Sequence, residues 1–78
     1  MATQNKNYRI VYKVLDHRDP DYGKDRIETH HAQPEGYLFE LVENFNKVKS
    51  ILKLKFVDEY PLGGLYNEGH TRIYDYRD

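Results

Sequence analysis

Cysteine is absent from the 78 residues. Disulfides, thiolate zinc sites and thiol nucleophiles are thereby excluded, and a reducing compartment is a fitting environment. Serine occurs once, as Ser50, with no motif around it, so no hydroxyl nucleophile is poised beside a base. No apolar run approaches the length of a membrane span, and the opening MATQNKN lacks the apolar stretch of a secretion signal. The expectation is a soluble, cytoplasmic protein with no membrane contact. A charge surplus of either sign is missing too, with 12 basic against 13 acidic residues. No global field draws the chain to nucleic acid, and the acidity is too slight to imitate a DNA backbone.

What is present is tyrosine, eight residues among an aromatic content of 14%. That content, with a net charge of only −1, separates the chain from disordered polypeptides. The length allows one domain, residues 1–78, with residues 1–6 expected to be flexible. A core this small buries only about 60% of the unfolded surface, so a homodimer is an expected aid to stability.

The residues NYRIVYKVL (7–15) alternate, Tyr8, Ile10, Tyr12 and Val14 on one face and Arg9, Val11, Lys13 and Leu15 on the other. β-Branched and aromatic residues at period two predict a strand. DHRDPDYGKD follows as a loop, and RIETHHA (26–32) pairs back as a second strand. Pro34 and Glu35 suit the first turn of a helix whose apolar stripe is Leu38, Leu41, Val42, Phe45, Val48 and Leu52. Period two returns in LKLKFVDEY, with Leu52, Leu54 and Phe56 facing in and Lys53 and Lys55 out. HTRIYDY makes a fourth strand. The fold class is α+β, a small β-β-α-β-β domain with one amphipathic helix on one face of an antiparallel sheet in the order 2-1-3-4.

Three clusters bear on chemistry. His30 and His31 are neighbours on a strand, so their rings point to opposite faces and do not share one ion. The reading is a strand end, His31 half-packed at the helix boundary and His30 in solvent. The loop Asp19–Asp25 fails the calcium frame, because the glycine and glutamate positions hold Lys24 and His30. Its aspartates read as turn residues paired with Arg18 or Lys24. Carboxylate pairs abound without a motif that singles one out, and no glycine loop cradles a phosphate. The expectation is no enzyme, no metal and no cofactor.

Lys47, Lys49, Lys53 and Lys55 form a basic run, read as dipole compensation and edge protection or, alternatively, as a phosphate-tracking surface. Tyr60, Tyr66, Tyr74 and Tyr76 crowd the last third around Arg72. Alternation puts Arg72, Tyr74 and Tyr76 on one face, with Ile73 inward. Tyrosine and arginine are the residues over-represented at interface hot spots. The expected function is therefore a small non-enzymatic interaction protein that binds a larger protein through Tyr60, Tyr66, Arg72, Tyr74 and Tyr76. It is the kind of protein a virus encodes as an inhibitor of a host enzyme such as a nuclease. The alternative is a small nucleic-acid-binding regulator using the lysine run.

Overall fold

The computed structural model describes residues 5–76. Of the expected flexible lead, residues 1–4 lie outside that range, whereas Lys6 already begins a strand. The elements run β1 (Lys6–Val14), β2 (Asp25–Gln33), α1 (Tyr37–Lys47), β3 (Leu52–Pro61), a single 3-10 turn (Tyr66–Glu68) and β4 (Thr71–Asp75). All neighbouring strands are antiparallel, in the order β2-β1-β3-β4, and α1 packs on the sheet. This is the α+β architecture that the alternation implied.

The core forms where the predicted face of β1 meets the helix. Tyr8, Ile10, Tyr12, Leu41, Leu54 and Val57 make the buried cluster, with Tyr37, Leu38, Val42 and Phe45 packed against it. Burial of each such aliphatic side chain contributes about 1.5–3 kcal/mol, which so small a fold cannot spare. The β1–β2 turn closes through Gly23 N–H to the Val14 carbonyl at 2.8 Å and Val14 N–H to Lys24 at 2.9 Å.

The helix starts later than Pro34. Tyr37 N–H donates to the Pro34 carbonyl in a turn, and Gly36 is the N-cap at φ 88°. That left-handed conformation is open to glycine and costly for a residue with a Cβ. The stripe is also shorter than expected, since the helix ends at Lys47 and Val48 caps it partly exposed.

Irregular register decides which side chains share a face. Tyr12 pairs with Leu54 but Val11 with Phe56, so Lys55 is an extra residue in β3. Leu52, Leu54 and Val57 therefore face the helix, and Phe56 turns to the opposite face instead of entering the core. A bulge moves everything beyond it to the other side of the sheet. A second shift pairs Val57 with Tyr74 but Asp58 with Arg72 and leaves Ile73 as the extra residue in β4. Tyr74 thus lies with the helix-side core, and Arg72 lies across the sheet from it. The expectation that Arg72 and Tyr74 share a face is corrected by this bulge.

The histidines are likewise reversed. Tyr8 pairs with His30, Ile10 with Glu28 and Tyr12 with Arg26, which places these three β2 residues on the helix side. His30 is half-buried against Tyr37, and His31 is exposed.

Candidate functional site

Antiparallel register stacks the residues of the helix-free face into rows. One row crosses all four strands as Thr29, Arg9, Asp58 and Arg72. The next holds Ile27, Val11, Phe56 and Asp75, and the next Asp25, Lys13 and Lys53. Three apolar side chains thus lie between two rows that carry cations, with Asp75 at the β4 end. Ile27 is 56% exposed, so this apolar surface is open to contact.

Asp58 organises the face. It is 1% exposed, yet it carries a carboxylate. Arg72 donates to it from Nε at 2.7 Å, and the Tyr66 hydroxyl donates at 2.7 Å. Burial pushes the Asp58 carboxyl up, but the Arg72 and Tyr66 hydrogen bonds outweigh this and hold its pKa below the ordinary carboxylate value. Around this anchor the rings and cations interleave. The Arg72 guanidinium lies 4.4 Å from the Phe56 ring centroid, and that of Arg9 lies 4.3 Å from the Tyr66 centroid. His70 stacks on Tyr66 at 4.1 Å, and Tyr60 meets Tyr66 edge-on at 5.9 Å. The 3-10 turn that carries Tyr66 is thereby pinned to the sheet.

The tyrosine and arginine group named from the sequence splits in two. Tyr60, Tyr66 and Arg72 gather on the helix-free face, with Tyr60 itself buried. Tyr74 and Tyr76 border the helix, the latter held by its N–H to the Lys55 carbonyl at 2.8 Å. The lysine run is divided as well. Lys47 ends α1, Lys49 follows it, Lys53 stands level with Lys13, and Lys55 bonds Asp25 at 3.0 Å. Asp58 and Phe56 were missed as site residues. The signal for the first was an aspartate alternating with the aromatic Phe56 and Tyr60 in a strand, which needs a cationic partner.

The other clusters are closed on themselves. Arg26 bonds Asp19 at 2.8 Å and Asp21 at 3.0 Å, while Arg18 bonds Asp16 at 3.2 Å. Arg26, not Arg18 or Lys24, therefore neutralises the loop. On the helix side a chain of hydrogen bonds joins Tyr37 to His30, His30 to Glu28 at 3.1 Å, and Glu28 to Tyr12. Burial first, and then the Glu28 charge, push the Tyr37 hydroxyl up to about 12, the opposite of an activated nucleophile. Among the described residues no cluster of three or more His, Asp or Glu side chains is arranged to hold a metal ion, and no helix is long and apolar enough to cross a membrane.

The fold and its surface define a one-helix, four-stranded α+β module with an organised open sheet face. No family model, curated protein or solved structure matches the chain.

Proposed function

We propose that this is a non-enzymatic binding module that docks a larger protein partner on its helix-free sheet face, through Arg72, Arg9, Tyr66 and the apolar row of Ile27, Val11 and Phe56. The observation that carries the reading is the Arg72 side chain, 40% exposed but fixed at Asp58, whose own side chain is 2% exposed. A guanidinium held in place before contact loses little freedom on binding, and arginine is a frequent hot-spot residue. The chemistry complements a partner surface with carboxylates around an apolar centre. An inhibitor that filled the basic cleft of a nuclease would need an acidic face, so this face suits a different region of such an enzyme.

A nucleic-acid reading draws on the same face, since Arg9, Lys13, Lys55 and Arg72 surround Phe56. Single strands bind by stacking bases on bare rings in a basic groove. Here Phe56 lies under Arg72, and Tyr66 lies against Arg9 and His70. The rings are occupied, which favours the protein partner. Homodimer formation joins the proposal through β2, a nine-residue outer strand with an unpaired edge among the described residues.

The test is capture from source-cell lysate with and without nuclease, using the wild type, Arg72→Ala and a Lys13→Ala/Lys55→Ala double variant. A discrete protein that survives nuclease and is lost with Arg72→Ala supports the reading. Recovery that vanishes under nuclease and whose salt dependence flattens in the double variant overturns it in favour of nucleic acid.

A further inference from the structure

A second surface lies away from that face, in a furrow between α1 and β4. Val42 and Phe45 of the helix, Leu52 and Leu54 of β3, and Tyr74 and Tyr76 line a volume of about 270 Å³. That is room for one large apolar side chain. The remaining lining residues are Asn46, Lys49 and Lys53, and among the described residues no acid lines the furrow. The Lys53 ammonium lies 4.6 Å from the Tyr76 ring centroid and helps to fix that wall. A lysine after a helix C-terminus offsets the dipole. Lys49 does more, because it also borders the apolar space.

β4 is the last strand of the sheet, so among the described residues one of its edges is unpaired. Alternation in an antiparallel strand directs every second backbone group toward that edge. An open edge beside an apolar groove walled by a helix suits an added strand. Main-chain hydrogen bonds supply affinity, and alternate side chains supply selectivity.

We propose that the β4 edge and the α1–β4 furrow form a docking site for an extended acidic peptide segment, bound as a fifth strand with one bulky apolar side chain between Phe45 and Tyr76. The charges set its direction. Carboxylates lie at the Lys49 end, and a neutral or basic residue lies toward Glu43, which stands beside the exposed Phe39 in the adjoining hollow. This site lies on the helix side of β4, and its occupancy does not require a partner on the helix-free face.

The probe is a short peptide of alternating threonine and glutamate with one central phenylalanine, titrated into isotope-labelled protein and followed by backbone amide shifts. The expected result is saturable shifts over residues 71–76 and at Val42, Phe45 and Lys49, retained in Ile27→Ala, which alters the exposed apolar row of the helix-free face and leaves β4 intact. Lys49 and Tyr76 are exposed, so Lys49→Glu and Tyr76→Ala fold normally and each weakens binding about tenfold. Methylating alternate backbone nitrogens of the peptide abolishes binding. The proposal is overturned by equal binding of the methylated peptide, by shifts confined to the Arg9–Arg72 face, or by no shifts at millimolar peptide.

Discussion

Arg72 reaches across from β4 to donate its Nε hydrogen to Asp58 Oδ1 at 2.7 Å, joining an exposed cation to a carboxylate that is 1% exposed. Buried charges persist only when paired and hydrogen-bonded, and Asp58 is both, since Tyr66 supplies a further donor. The pair ties β4 and the 3-10 turn to the centre of the sheet. It also presents the remaining donors of Arg72 to whatever meets that face.

Asp58→Asn should cost about 1–3 kcal/mol at neutral pH, because a charge-assisted acceptor is lost while the donors remain. The native carboxyl is held below its unfolded value of about 3.9, so its contribution is fully present above that value. It is lost as pH falls through the lower native value. Urea melts across pH should therefore show the wild type and Asp58→Asn converging in acid. A difference that does not shrink as pH falls below the unfolded value would count against the anchor.

Tyr37 titrates late. Its pKa, raised to about 12 by burial and then by Glu28, means the folded state keeps the proton that the unfolded chain releases near 10.0. The associated stability is intact below the unfolded value and disappears as pH rises through the native one. Ultraviolet difference titration of the wild type against Tyr37→Phe should place one tyrosinate transition near the raised value. A midpoint at the ordinary tyrosine value would contradict the Tyr37 environment.

Gly36→Ala tests the helix start. An added Cβ meets nothing within 4 Å, so the cost comes from φ 88° alone. About 1 kcal/mol is expected, a fall in Tm of about 4–8 °C for a domain of this size. An unchanged Tm would mean that the chain enters the helix by another route.

Val57 and Phe39 form a contrasting pair. Val57 is 0% exposed and Phe39 is 75% exposed. Val57→Ala removes about two buried methylene equivalents and leaves a cavity, a loss of about 2 kcal/mol. Phe39→Ala should change stability by less than about 0.5 kcal/mol. Equal losses in chemical denaturation would show that Phe39 is covered in solution, as by a second copy.

Much of this fold was legible along the chain. Tyr8, Ile10, Tyr12 and Val14 alternate in the sequence and are all buried in the structure, because the side-chain period of a strand is fixed by backbone geometry. Leu41 and its neighbours recur at helical spacing and face that strand for the same local reason. Strand order followed from connection rules that act on any chain of this element sequence. The candidate site was less legible. Tyrosine and arginine enrichment pointed to the last third of the chain, but not to how its residues divide between faces.

That division rests on two single-residue bulges, at Lys55 and at Ile73. Neither residue marks itself in the sequence, since a bulge arises when cross-strand pairing and packing on both faces are satisfied together. The first bulge takes Phe56 out of the core and puts Val57 in. The second sends Tyr74 to the helix and Arg72 to Asp58. Period and composition thus set the elements and their order. Long-range register, which no local pattern encodes, assembled the Arg9–Asp58–Arg72 row and opened the furrow beside β4.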